Sequence, residues 1–308
     1  MERASAYNGG FSLRNKNDCV PIEPGAESPI AGWSPLHSFM TMARESPDPA
    51  AVQLLHLDRN LRVAMRFFGR ATGLGAIHPL ARAECVYSGL DYGVFNIAFL
   101  TQAIGSQRDL AAVLDECREF YGKRRVRWSF WLCEDLLHPA SRRAGRDLFA
   151  RVGMRQISQA PGMAAEALAP PSHDLPEIEC RPVTDAVTRH AFAGLTSTCF
   201  DIPFSVSRAV YEPDTAWAGD YRGFVGFVRG HPISMLALVR AEGALGIYSL
   251  GTLPEYRRRG YGEALLRATL AEQQPGELLV LESTEAGYPL YRQMGFHDAA
   301  KFTVYLVK

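Results

Sequence analysis

The chain has 308 residues, 47% of them apolar, and its 33 lysines and arginines equal its 33 aspartates and glutamates. That length and apolar content suit about two domains with substantial cores, and the balanced charge leaves no bulk field favouring nucleic acid or an anionic membrane. The N-terminus lacks an apolar signal core and no run approaches about eighteen uninterrupted apolar residues, so a cytoplasmic, non-spanning protein is expected.

Residues 1–45, with Asn8-Gly9-Gly10 and prolines from Pro21 to Pro35, have little periodicity and read as an irregular extension. Beyond them, 87–90 and 94–100 read as paired strands, 110–121 as a helix, 127–132 as a strand and 142–151 as a helix. The proline-rich polar stretch 169–176 reads as a linker, dividing the chain into 46–168 and 177–308. The second portion opens with a strand at 178–183 and helices at 185–195 and 205–211. A hairpin of 224–228 with 233–240 follows, then a strand at 245–250 ended by Pro254. A helix at 263–270 stops at Gln274-Pro275-Gly276; 278–283 is a buried-type strand, 286–293 a helix and 302–307 a last strand. Hairpins plus one strand–helix–strand crossover define an α+β fold with a mixed, mainly antiparallel sheet flanked by helices.

Six cysteines, at 19, 85, 117, 133, 180 and 199, form neither a CxxC nor a His/Cys cluster. Such scatter indicates reduced thiols packed as small apolar residues, with no metal site. Cys199, near Asp201, could be imagined as a nucleophile, but no histidine lies close in sequence.

The segment richest in chemistry is Arg257-Arg258-Arg259-Gly260-Tyr261-Gly262, between a strand and a helix. The first turn of that helix has unsatisfied N–H donors and the positive end of the macrodipole. Gly260 and Gly262 remove Cβ atoms where an anion must approach the backbone, and the arginines supply charge-assisted hydrogen bonds. A pyrophosphate fits; so, on the hexapeptide alone, does a solvated basic turn. Neither the dinucleotide pattern G-x-G-x-x-G nor a P-loop occurs here.

The segment resembles the acetyl-coenzyme A loop of the GNAT N-acetyltransferase superfamily, Gln/Arg-x-x-Gly-x-Gly/Ala, filled by Arg257, Gly260 and Gly262. The flanks are similar too: Gly251-Thr252-Leu253-Pro254-Glu255-Tyr256 resembles the approach to that loop, and Leu290-Tyr291-Arg292-Gln293-Met294-Gly295-Phe296 the family's "LY-x-x-x-GF" segment. The resemblance implies an acetyl-coenzyme A-dependent N-acetyltransferase with no metal, acting by direct attack of a primary amine. It places the pantetheine arm and the oxyanion on backbone groups of Leu250, Gly251 and Thr252, and the pyrophosphate on the loop from Arg257 through Arg258, Arg259, Gly260, Tyr261 and Gly262 to Glu263. Tyr291 takes the place of the general acid, and a phenol with an ordinary pKa near 10 is protonated at pH 7. Thr284 stands where many members have an asparagine, and can make only part of that contact. For the general base Glu282 comes first, with Glu285 and Asp201 as further candidates. The acceptor, a small molecule, amino acid or peptide amine, would meet 196–211 and 287–305.

Leu148-Phe149-Ala150-Arg151-Val152-Gly153-Met154 lines up with Leu290 to Phe296, so the N-terminal portion reads as a second, degenerate GNAT-like domain in tandem. It lacks the arginine–glycine loop and has Phe149 where the other copy has Tyr291. Its expected roles are scaffolding, homodimerisation or covering the substrate cleft. Two other readings remain: a non-catalytic acyl-coenzyme A sensor or partner module of the same fold, and an aminoacyl transferase using charged tRNA, which the neutral charge disfavours.

Overall fold

A computed structural model describes residues 48–271 and 276–308. The expected extension at 1–45 and most of the stop at Gln274-Pro275-Gly276 lie outside the described residues.

The N-terminal portion opens with a helix that the sequence reading did not anticipate, α1 (Pro49–Ala71). Asp48 caps it by accepting from the Ala50 N–H, and Pro49 sits where a missing N–H costs nothing. Leu57, Leu61, Ala64, Met65 and Phe68 repeat at helical spacing and are buried, each large side chain worth about 1.5–3 kcal/mol. The strands β1 (Ala76–Pro79), β2 (Ala83–Tyr87) and β3 (Ile97–Leu100) follow. The first partner of the predicted strand pair is therefore earlier than expected, with Val86 opposite Ile97. Next come α2 (Gln107–Arg124), β4 (Ser129–Cys133), α3 (Pro139–Arg151) and β5 (Met154–Ala165). β5 was not legible in the sequence, because Pro161 and Gly162 interrupt a strand of mixed polarity.

The C-terminal portion contains β6 (Glu179–Pro182), α4 (Ala186–Phe200), α5 (Phe204–Tyr211), β7 (Tyr221–Val228), β8 (His231–Ala241) and β9 (Ala244–Thr252). Then follow α6 (Tyr261–Thr269), β10 (Leu278–Glu282), α7 (Tyr288–Gln293) and β11 (His297–Val307). The expected order of elements is found here, with ends shifted by a few residues. α4 begins with a capping box between Asp185 and Thr188.

Among the described residues the strands form one mixed sheet in the order β1-β2-β3-β4-β11-β5-β10-β9-β8-β7-β6, in which β3–β4 and β9–β10 pair in parallel and the other neighbours antiparallel. The two portions exchange their last strands: β11 lies between β4 and β5, and β5 lies between β11 and β10. Gly153 and Gly295, the equivalent glycines of the aligned heptapeptides, both take a left-handed φ, of 80° and 99°, just ahead of the exchanged strands. That conformation suits glycine where a helix turns into a strand. Helix α1 packs across strands of both portions, including β2, β8, β9, β10, β5 and β11.

Candidate active site

The parallel pairing of β9 with β10 stops at Val280 opposite Gly246. From Ile247 onward the two strands diverge, and that edge of β9 has no strand partner. On its other edge, β9 carries an irregularity: Met235 faces Gly251 and Ala237 faces Tyr248, so Ser249 and Leu250 together oppose Leu236. Ser249 adopts a left-handed φ of 52° to make this bulge. The result is a strand end whose free backbone groups can bind an extended ligand as an added strand would. Ser234 Oγ holds it by donating to the Gly251 carbonyl at 2.8 Å.

Downstream, Arg258 (φ 58°) and Gly260 (φ 81°) turn the chain sharply into α6. Gly260 is the N-cap of α6 and no side chain caps the helix. Its first-turn N–H groups therefore remain available, next to the Arg258 side chain. The corresponding helix of the N-terminal portion, α2, is closed: Ser106 Oγ accepts from the Asp109 N–H, and Asp109 is paired with Arg82 at 2.5 Å. An anion is welcome at α6 and repelled at α2.

One cavity of about 670 Å³ joins these features. Leu250, Gly251, Thr252, Arg257, Arg258, Gly260, Tyr261, Gly262, Glu263, Glu282, Thr284 and Tyr291 all line it. Their roles differ in detail. Arg257 Nε donates to the Thr252 carbonyl at 2.9 Å, so this arginine braces the loop against the end of β9. Arg259 does not line the cavity; its guanidinium sits 5.9 Å from the Tyr256 ring centre. The Glu263 carboxylate accepts from Arg267, which also donates to the Ala169 carbonyl at 2.7 Å, leaving the Glu263 backbone N–H as its offering to a ligand. Thr284 Oγ1 accepts from the Gly287 N–H at 3.0 Å. A Cβ at Gly262 would crowd Thr252 Oγ1, at 3.3 Å. Bare backbone, helix N-terminus and arginine together fit a pyrophosphate and its pantetheine arm.

Of the three carboxylates considered as bases, only Glu282 lines the cavity; Glu285 is exposed and Asp201 does not contribute. Glu282 Oε1 is sealed from solvent and has no hydrogen-bond partner. Burial, with the nearby Asp58 charge adding to it, pushes this carboxyl up to about 8. Tyr291 is 8% exposed, and burial raises its phenol above the ordinary value, keeping it a proton donor at neutral pH. Cys199 also lines the cavity, but burial lifts its thiol to about 11 in spite of the Arg257 charge, which leaves little thiolate.

Several lining residues carried no sequence signal. Met65, Phe68, Phe95, Ile97 and Trp131 come from the N-terminal portion, and His173 from the linker. The N-terminal portion therefore contributes part of the cavity wall. Phe149, the counterpart of Tyr291, is fully buried and stacks on Tyr305 with ring centres 3.8 Å apart, so its own equivalent space is filled. Among the described residues there is no group of three or more His, Cys, Asp or Glu placed to hold a metal, and no helix is long and apolar enough to cross a membrane.

Residues 213–298 match the family model described as "Acetyltransferase (GNAT) domain". No curated protein matches the chain in sequence. Among solved structures, a GCN5-related N-acetyltransferase from Kribbella flavida is 19% identical with a TM-score of 0.57, covering 84% of this chain and 93% of its own. One from Sphaerobacter thermophilus is 16% identical with a TM-score of 0.51 over 84% and 93%. A functionally unknown conserved protein from Staphylococcus epidermidis is 12% identical with a TM-score of 0.55 over 74% and 92%. These likenesses bear on the fold, while the matched segment spans the bulged strand, the arginine–glycine loop and Tyr291. The C-terminal portion of the chain thus carries an acetyltransferase (GNAT) domain, over residues 213–298.

Proposed function

We propose that the protein is an acetyl-coenzyme A-dependent N-acetyltransferase that acts on a primary amine by direct attack, and that it arose by duplication of one fold with activity kept in the C-terminal copy. The carrying observation is that the diverging β9 and β10, the uncapped start of α6, Glu282 and Tyr291 all open into one cavity. Acetyl-coenzyme A supplies an acyl carbon activated by its thioester. Arg258 and the N–H groups of Tyr261, Gly262 and Glu263 bind its pyrophosphate, and the free edge from Leu250 to Thr252 orients the arm. Backbone N–H groups at the β9 bulge face the developing oxyanion.

Glu282 takes a proton from the incoming ammonium, so that the neutral nitrogen can attack. The N–C bond forms and the C–S bond breaks. The nitrogen gives up two protons in all: one passes through Glu282 to solvent, and the other ends on the thiol, which Tyr291 protonates as it leaves. Titration calorimetry with acetyl-coenzyme A tests the first half of this reading, with binding weakened about tenfold or more in Arg258→Ala; a wild-type protein that does not bind overturns it. Free-thiol release over an amine library tests the second half, and turnover unchanged in Tyr291→Phe removes that tyrosine from the mechanism.

A further inference from the structure

The proline-rich stretch between the two portions, expected as a tether, is fastened to the C-terminal portion beside the arginine–glycine loop. The Ala169 N–H donates to the Met294 carbonyl at 2.8 Å, and the Ala169 carbonyl accepts from Arg267 at 2.7 Å. Further along, Ser172 Oγ accepts from Gln293 Nε2 of α7. Pro170, Pro171 and Pro176 restrict its backbone. The stretch thus passes the start of α6 along a fixed path: a Cβ on Gly260 would stand 3.0 Å from Pro176 Cδ, 3.2 Å from His173 Nε2 and 3.5 Å from Leu175 Cδ2.

His173 is exposed and lines the cavity together with Gln293, Arg258 and Gly262. Its Nδ1 lies 3.1 Å from Ser172 Oγ, which leaves Nε2 as the nitrogen beside Gly260. An anion there favours the neutral tautomer with its hydrogen on Nε2, the Ser172 hydroxyl donating to Nδ1; in the charged ring both nitrogens donate. Donation from Nε2 is therefore open to the ring in either charge state. The loop alone is short of cations for a pyrophosphate, whose two phosphates each carry a negative charge. Among the described residues the cationic side chains that line the cavity are Arg257, Arg258 and His173. Arg257 is drawn to the Thr252 carbonyl and Arg259 lies over Tyr256, so Arg258 is the loop arginine left for the anion.

We propose that His173 is a further ligand of the cosubstrate's pyrophosphate, donating from Nε2 to a phosphate oxygen held at the α6 N–H groups, with Ser172 and Gln293 positioning the ring. This rests on the acetyl-coenzyme A binding proposed above, and it makes the stretch between the portions part of the cosubstrate site. Neither the arginine–glycine pattern nor the matched domain, residues 213–298, includes this residue. Because the stretch is already fixed at Ala169 and Ser172, the contact forms with little further ordering of the chain.

The test is titration calorimetry of the full chain with acetyl-coenzyme A, in wild type, His173→Ala and His173→Lys. Expected is an affinity about tenfold lower in His173→Ala, the contribution of one charge-assisted hydrogen bond. In His173→Lys it returns to within about threefold of wild type, because a lysine ammonium also donates to phosphate. The urea midpoint stays unchanged in both, since the side chain is exposed. A flexible ammonium cannot replace an imidazole that merely packs against Ser172 and Gly260, so a lysine variant as weak as the alanine one overturns the assignment. A midpoint that falls together with the affinity marks a structural role and overturns it too. Wild-type protein that binds no acetyl-coenzyme A sinks the reading beneath the proposal. Binding that His173→Ala alters by less than about twofold sinks the proposal alone.

Discussion

The Tyr248 hydroxyl donates to Asn60 Oδ1 at 2.7 Å, joining β9 beside the candidate active site to α1 across 188 positions of sequence. Asn60 Nδ2 shares its two hydrogens among the carbonyls of Val239, Ala241 and Ala244, at 3.1, 2.9 and 3.0 Å. The asparagine is fully buried, and the three carbonyls lie in the β8–β9 hairpin, where Val239 pairs with Gly246 and Ala241 with Ala244. A single amide thereby fastens the helix of one portion to the hairpin of the other.

Asn60→Ala is expected to lower stability by about 2–4 kcal/mol, because it strands the buried Tyr248 phenol as well as losing the other bonds. Urea unfolding measures this as a shifted midpoint. A change under about 0.5 kcal/mol would show that the contact does not hold the portions together.

Glu282 makes two pH-dependent effects separable. Its carboxyl is raised in the fold from 4.5 to about 8, so its contribution to stability is complete below pH 4.5 and is lost as pH rises through about 8. Glu282→Gln removes that loss and should make the protein more stable than wild type at pH 9, by denaturant unfolding. The same substitution should cost about 10²-fold or more in kcat/KM, and abolish the rise of wild-type activity through pH 8. Activity retained in the glutamine variant would exclude Glu282 as the base.

Asp58 offers a control that leaves Glu282 in place. Burial lifts Asp58 to about 6, Arg62 opposing, and its charge in turn disfavours ionisation of Glu282. Asp58→Asn takes away a neighbouring negative charge while Arg62 stays, so the rise in kcat/KM should move to lower pH. A midpoint that stays put, or moves upward, contradicts the coupling between α1 and the base.

How far all this was legible depends on what each element owes to local sequence. The β9–α6 loop could be read from Gly260, Gly262 and the arginines, because its function lies in backbone geometry that those residue types specify. Glu282 was read from its place at the end of a strand facing that loop and Tyr291 from the resemblance of its segment, and both line the cavity. Trp131 and Phe95 at the cavity, and the Asp58 charge that acts on Glu282, were not legible, since their places follow from the strand exchange and the path of α1, both set by contacts far apart in sequence. β5 escaped notice for a related reason: Pro161 and Gly162 are tolerated in mid-sheet where β11 shifts register between Asp298 and Ala300. Arg257 was assigned to the ligand by its motif position, while its reach to the Thr252 carbonyl makes it a brace.

Gly260 tests whether the start of α6 binds an anion through its backbone. Its φ of 81° disfavours any side chain, and a Cβ there would stand 3.0 Å from Pro176 Cδ and 3.2 Å from His173 Nε2. Gly260→Ala should therefore reduce stability by about 1–2 kcal/mol and, by tilting the first turn, weaken acetyl-coenzyme A by about tenfold or more in calorimetry. Gly230→Ala provides the comparison: its φ of 78° carries similar strain, but its Cβ meets nothing within 4 Å and it lies outside the cavity. It should lower the unfolding midpoint to a similar extent and leave the affinity as it was. Equal losses of affinity in the two variants would mean that general destabilisation, and not the geometry of the α6 N-terminus, sets the binding.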